Sequence, residues 1–591
     1  MEHATHSSSG GGLDSQSPPP KTPVGGWRAV RYILGNETFE KVASMSLVAN
    51  LVMYLHTKYN LDNVVSANVF NIWSGSCNIA PLFGAFVADT YVGKFYTLLF
   101  SSIASLLGMG TLTLTAGLHE LTPSACKGQT ECPQPNAWQL AVLYSGLGLL
   151  VVGSGGLRPC NIAFGADQFD TKTEKGRAQL DSFCNWWYLL FTVALLIALT
   201  GVVYIQTNVS WILGFSIPTA CFGLSIIIFL LGTKLYIRIK PQGSVFTDII
   251  KVVVATCRKY GSNAGQTSGK LFYDPPSIGS ESQTAARTDR LKFIDKAAMI
   301  MDPSEVDSQG KPTNGWRLCS VQQVEQLKSV VWILPVWITG IFCFIGMNQM
   351  NSFGIFQAIQ MNKAIGPKFQ IPPAWMGLAP MIALSIWIII YESLYIPQMQ
   401  KRNKNESGRL TMEQRFKIGI VMSVLCMVVA GLTEMKRRNS ALKHGTFESP
   451  ITVALLVPQF ALSGLIEAFA AIALMELLTV QWPQSMRTFA GAVFFLSLSM
   501  ASYLTSLLIT IVKKVSGLNG NSSWLGGNDL NKNRLDYYYY TIAGLGVVNF
   551  VYFHFYARHY LSDAAAVENS ENQVNSDTEK GCRSRDTERG L

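Results

Sequence analysis

Glu37, Glu40 and Lys41 are the residues of this sequence whose types and spacing most clearly suggest chemistry. Positions i, i+3 and i+4 share one face of a helix, so two carboxylates face one ammonium. One lysine cannot neutralise both acids, and an acid in such a site can hold a proton when dry and release it when wet. That is proton-coupling chemistry, although a surface ion pair at a helix start fits the same spacing. Two further ionisable residues fall inside apolar runs, where charge is costly and marks function by default. Arg158 lies in "GSGGLRPCNIAFGADQFD" and Glu467 in "LVPQFALSGLIEAFAAIALMELL". Arg158 can attract an anionic solute or pair with an acid across a bundle; an interfacial arginine reaching for water is the alternative. A lone mid-span carboxylate must be paired or protonated, so Glu467 is expected to pair with Arg158 as a latch. Glu476 is expected to reach the interface. In Asp89-Thr90-Tyr91-Val92-Gly93-Lys94 the acid ends one helix, Gly93 permits a tight turn and Lys94 follows. Asp89, Gly93 and Lys94 are therefore read as a gating lock between cytoplasmic faces.

These residues need a membrane scaffold. The 591 residues are 49% hydrophobic and only 14% charged, against roughly 25% charged in soluble domains. The net charge of +10 falls mostly in loops and termini, which suits an anionic leaflet. No basic soluble module is visible, so nucleic acid is excluded as a partner. A spanning helix needs about 20 apolar residues, and twelve stretches qualify. Six lie near 34–56, 67–90, 96–117, 138–162, 184–206 and 212–236; six lie near 329–350, 373–395, 416–435, 453–478, 488–512 and 538–558. The expected fold is an all-α membrane protein with twelve transmembrane helices in two six-helix halves. This is the major-facilitator layout, in which the halves rock around a midplane site.

The expected units are a disordered cytoplasmic tail (1–27), a first six-helix bundle (28–237), a cytoplasmic central loop (238–328), a second bundle (329–560) and a disordered cytoplasmic tail (561–591). The first tail has no signal-peptide pattern, which leaves insertion to the first span. In the central loop, Leu318, Val321, Val324 and Leu327 recur at helical spacing, so Trp316 to Lys328 is expected to form an amphipathic helix on the membrane surface or against the bundle. Basic loops face the cytoplasm: Lys172, Lys175 and Arg177, then Lys401, Arg402, Lys404, Arg409 and Arg415, set both termini inside. Lys436, Arg437 and Arg438, on the expected outer face, run against this. Asn208 and Asn521 become outward glycosylation sequons, and Asn405 a silent inward one. Trp186, Trp187 and Tyr188 are candidates to line the cavity and stack on an apolar or sugar face, or else face lipid. Of eleven cysteines, most lie in apolar runs and act as small hydrophobes; Cys126 and Cys132 share a polar loop where a disulfide forms if that loop is extracellular. No metal site, nucleophile–base set or phosphate loop is present. The reading is not an enzyme, with no cofactor beyond a proton gradient.

The ordered motifs "GGWRA", "GNETFEK", "ADTYVGKFYT", "GSGGLRPCNIAFGADQFD", "FCNWWY", "DKAA", "WRLCSVQQVEQLK", "LPVW" and "LDYYYY" resemble the plant nitrate/peptide transporter family, part of the proton-dependent oligopeptide transporter group. The resemblance covers about residues 26–560 and looks closest to the branch of nitrate and glucosinolate or glucoside carriers. It implies that Glu37, Glu40 and Lys41 are the family's E-x-x-E-[R/K] proton-coupling motif. It further implies that Arg158 and Glu467 are its helix-four base and helix-ten acid. Thr97 matches the regulatory phosphorylation threonine of the dual-affinity nitrate carrier, or is a plain helix-start threonine. That carrier's nitrate-binding histidine is replaced by Met347, followed by Asn348 and Gln349, three further cavity candidates. Ser46-Leu47-Val48 lacks the second basic residue of peptide carriers. The function implied is proton-coupled symport of a small anionic or glycosylated metabolite such as a glucoside. A low-affinity nitrate or chloride carrier, and a transporter-like sensor signalling through the central loop and Thr97, are the alternatives. The expected partners are the solute, protons and the lipid bilayer, with the chain a monomer or weak homodimer. The plasma membrane is the expected location and the vacuolar membrane the alternative.

Overall fold

The computed structural model describes residues 25–124, 133–170, 173–239, 245–260, 272–273, 287–288, 290–308, 310–366, 369–402, 408–480, 487–518 and 523–561. In chain order the helices are α1 (Gly26–Lys58), α2 (Asn63–Val87), α3 (Lys94–Gly117), α4 (Ala137–Ala166), α5 (Glu174–Ile197), α6 (Trp211–Leu231), α7 (Val245–Tyr260), α8 (Val321–Asn351), α9 (Phe353–Ile359), α10 (Leu378–Ile390), α11 (Ile396–Arg402), α12 (Met412–His444), α13 (Val457–Ile466), α14 (Ile472–Val480), α15 (Arg487–Ser516) and α16 (Leu535–Tyr552). Among the described residues, nine helical runs are long and apolar enough to cross a membrane. The helices α1, α2 and α16 fall outside that set; α1 carries Glu37, Glu40 and Lys41 in its middle.

The sequence sets the helix starts locally. Asp62 caps α2 by accepting from the Val65 amide at 2.6 Å. Reciprocal Asn136–Gln139, Ser320–Gln323 and Thr411–Gln414 pairs start α4, α8 and α12, each satisfying two otherwise orphaned amides. Three expected boundaries are corrected. The first helix begins at Gly26 rather than near 34, because Trp27 meets the Phe169 ring edge-on at 6.0 Å and Val30 and Leu34 are buried with Phe169 and Phe183. The helix expected over 416–435 runs on to His444, so Lys436, Arg437 and Arg438 are not loop charges; Arg437 is wholly buried. The segment Trp316 to Lys328 is not a separate surface helix. Its first residues are turn and coil, and from Val321 it is the opening of α8.

The amphipathic helix of the central segment is α7 instead. Val252 and Ala255 on it pack with Ile294, Ala297, Ala298, Cys319, Val324 and Leu327. Burial there pushes the Cys319 thiol up to about 11. Lys328, 2% exposed, reaches Asp295 at 2.6 Å and Glu325 at 2.8 Å, and Arg287 meets Asp295 at 3.1 Å. The "DKAA" and "VEQLK" segments thus meet at the base of α8, and the central segment rides on the second half. Removing one partner of a buried ionic group leaves uncompensated charge and costs about 3–5 kcal/mol. Lys328→Met is therefore expected to lower the thermal unfolding temperature of the solubilised protein strongly. An unchanged temperature would show that this dock does not hold the segment.

Within the first half the backbones of α2 and α4 touch. A Cβ on Gly84 would stand 1.9 Å from the Gly155 carbonyl oxygen, and one on Gly156 would stand 2.1 Å from Ser101 Oγ. No side chain can move aside at Gly84, because the obstacle is backbone. Gly84→Val is expected to remove most folded protein from the membrane, read as monodisperse yield after solubilisation.

The bonds joining the two halves cluster at one end, where α1 turns into α2. Asp62 pairs with Lys513 at 3.3 Å. Ser506 and Thr510 bond Asn68 at 2.9 and 3.2 Å, and Tyr503 meets Ser76 at 3.0 Å. At the same end His56 meets the Phe356 ring at 5.4 Å, and Tyr204 stacks on Phe369 at 6.1 Å. These contacts close the space between the halves at that end.

Candidate functional site

The middle of α1 brings Glu37, Glu40 and Lys41 together as their spacing predicts. They are 4, 5 and 8% exposed, so the group is not a surface ion pair. Lys41 Nζ lies 3.2 Å from Glu37 Oε1 and 2.8 Å from Glu40 Oε2. Glu37 is also held by the Asn161 amide of α4, which donates to Oε2. Glu40 Oε2, by contrast, has an ion-pair contact but no well-directed hydrogen bond. Glu40, Lys41, Trp73, Cys77, Ser154 and Arg158 share the wall of one cavity of about 50 Å³, space for a few water molecules.

Arg158 Nη1 donates to Asn78 Oδ1 at 2.5 Å and its guanidinium stands 5.9 Å from the Phe495 ring of the opposite half. Glu467 opens the π-turn Glu467–Ala471, a local insertion that commonly marks functional positions. Its side chain is exposed while the next four residues are buried. The expected Arg158–Glu467 ion pair is not formed among the described residues: Arg158 is engaged with Asn78 and faces Phe495 of the opposite half. Glu476, expected to reach the interface, is half-exposed and pairs with Arg415.

The Asp89 motif also differs from expectation. Asp89 lies in the π-turn Ala88–Val92 and Gly93 takes φ 82°, a conformation suited to glycine. Lys94 passes over Asp89 and pairs with Asp167 at 2.6 Å, so this lock ties α3 to the end of α4 inside one half. Thr97, 8% exposed, donates to the Gly93 carbonyl at 3.0 Å and is covered in this conformation. Three consecutive helical residues cannot share a face: Trp186 and Tyr188 are 50 and 68% exposed, and only Trp187 turns in beside Glu37 and stacks on Phe191. Met347 packs against the core. Asn348 bonds Ser502 at 3.3 Å. Gln349 is wholly buried and donates to the Ile345 carbonyl. The sequon amide of Asn208 donates across the halves to the Gln370 carbonyl at 3.3 Å. Cys126, Cys132, Asn405 and Asn521 lie outside the described residues.

The sequence reading missed Asn78 and Asn161, neutral amides that carry no charge signal, and the buried pair Glu434–Arg437. The signal for that pair was present in its i, i+3 spacing, but the helix was ended one residue before Lys436.

Residues 95–525 match the PTR2 family, described as the POT family. "Protein NRT1/ PTR FAMILY 2.8" of Arabidopsis thaliana is 56% identical over 546 residues, covering 92% of this chain and 97% of the relative. "Protein NRT1/ PTR FAMILY 2.13" of the same plant is 44% identical, covering 94% and 90%. Among solved structures, the POT family transporter PepTSo superposes with a TM-score of 0.64 at 19% identity, covering 92% of this chain and 99% of that one. A POT family transporter in complex with 5-aminolevulinic acid gives 0.59 at 12% identity, covering 91% and 98%. These similarities extend over nearly the whole chain, and the solved relatives share its helical architecture. The chain is a multi-pass membrane protein that belongs to the POT family of transporters.

Proposed function

We propose that the chain is a proton-coupled symporter of a small anionic or glycosylated metabolite such as a glucoside. Glu37, Glu40 and Lys41 take and release the proton, and Arg158 with Glu467 meets the solute. The observation that carries this reading is the placing of Lys41 between two buried carboxylates on the same cavity wall as Arg158. Two acids and two bases balance. One added proton leaves a net single positive charge, which attracts an anion into the cleft. Solute at Arg158 keeps Glu467 away from it, the halves rock, and once solute and proton have left on the inner side Glu467 pairs with Arg158 as the halves return. The central segment, docked on α8, travels with the second half.

Relatives solved with sulfate and with 5-aminolevulinic acid support a pocket of this fold that accepts small anionic groups. Expression at the plasma membrane of oocytes, with uptake measured at acid and neutral pH, tests the reading. The panel contains labelled glucosides, nitrate and chloride. Saturable, acid-stimulated glucoside uptake is the expected result. Saturable nitrate current without glucoside uptake would replace the glucoside with nitrate as the cargo.

A further inference from the structure

A second buried charge group lies in the other half, and the coupling scheme does not use it. Glu434 and Arg437 on α12 are both 0% exposed. Arg437 grips Glu434 through two bonds, Nε to Oε2 at 2.8 Å and Nη2 to Oε1 at 2.7 Å. Its Nη1 donates to Asn531 at 2.9 Å. Glu434 Oε2 also accepts from Gln357 Nε2 on α9 at 2.9 Å. Gln357 Oε1 in turn accepts from Gln459 Nε2 at 2.8 Å and from the Tyr539 hydroxyl at 3.1 Å. Every bond to Glu434 comes from an N–H donor.

A buried ion pair adds little stability over a well-packed apolar replacement, and its attested use is to fix one arrangement among alternatives. What it fixes here is α9. That short helix is set off from α8 by a break at Ser352, with φ −118° and ψ −83°. It lies at the closed end of the cleft and touches α1 and α2 of the first half. Phe356 on it meets His56 of α1. Gln357, next in sequence, points the other way into the charge group.

We infer that the Glu434–Arg437 pair, acting through Gln357, positions α9 so that Phe356 closes the entrance against His56. Gln357 is the positioning residue, and the ion pair is the fixed post it ties to. Phe353, Ile355 and Ala358 bury α9 in the core, and Gln357 supplies its polar tie to α12, which fixes how far the helix turns at Ser352.

The test needs no solute and does not depend on the proposed cargo. Cysteines replace His56 and Phe356, and a protease site is inserted in the central segment. After mild oxidation in native membranes and proteolysis, a disulfide between these positions keeps the halves joined on a non-reducing gel. The parent pair is expected to cross-link efficiently. Adding Gln357→Leu, which leaves Glu434–Arg437 intact, is expected to lower the joined fraction at least threefold at equal membrane abundance. Glu434→Leu with Arg437→Met, which removes the post without leaving an unpaired charge, is expected to do the same. An undiminished joined fraction in Gln357→Leu overturns the inference. So does a loss in the double variant that matches its loss of folded protein while Gln357→Leu behaves as the parent.

Discussion

Replacing Glu40 with glutamine is expected to abolish the acid stimulation of uptake. The ratio of uptake at acid to neutral pH should fall to about one, and accumulation against a gradient should drop at least about tenfold, equivalent to ~1.4 kcal/mol of lost coupling. With Glu40 neutral, Glu37, Lys41 and Arg158 sum to a fixed single positive charge. The site then holds permanently the charge that a proton gives it in the native chain. Solute can still be attracted, so exchange of labelled for unlabelled solute should survive while concentrative uptake is lost. Glu37→Gln should be worse folded as well as uncoupled, because Asn161 donates to Glu37, and glutamine can present its amino group to that donor. Tracer accumulation and exchange measured side by side check both outcomes. Intact pH-driven accumulation by Glu40→Gln would sink the coupling scheme.

The second large effect is expected at Arg158. Truncation to alanine removes one of the two cations on the cavity wall and leaves Asn78 without its partner. Losing one member of a desolvated, hydrogen-bonded charge pair costs about 2–5 kcal/mol, so uptake of an anionic solute should fall roughly thirtyfold or more. Arg158→Lys should retain part of it, because lysine keeps the charge but not the planar fork of donors. The check is thermal stabilisation by the solute that the uptake panel identifies. That solute should raise the unfolding temperature of the native chain and of Arg158→Lys, but not of Arg158→Ala. Full uptake by Arg158→Ala would exclude Arg158 from the binding site.

The buried charge cluster of α1 was legible because a helix fixes i, i+3 and i+4 neighbours through its own geometry, so Glu37, Glu40 and Lys41 needed no distant partner to be found. The same local logic gave the apolar spans and the glycine turn at Gly93. It failed where helices ended against other helices. Lys436, Arg437 and Arg438 look like an outer loop by hydropathy, yet Glu434 and Asn531 draw Arg437 into the interior and the helix continues. Trp316 to Lys328 has the right periodicity for an amphipathic helix, but Ser320 caps α8 there, and Asp295 supplies the partner that makes Lys328 a buried anchor.

The sequence by itself thus determined the membrane class, the spacing of Glu37, Glu40 and Lys41 and the family motifs, because each depends on composition or on neighbours within two helical turns. Only the tertiary structure decided the partners of the lone charges. Lys94 reaches Asp167, Arg158 reaches Asn78 rather than Glu467, and Glu434 holds both Arg437 and Gln357. A charge buried among helices pairs with whatever the packing brings within about 3 Å, and which helix faces it, and in which state of the cleft, is not written in the spacing along the chain.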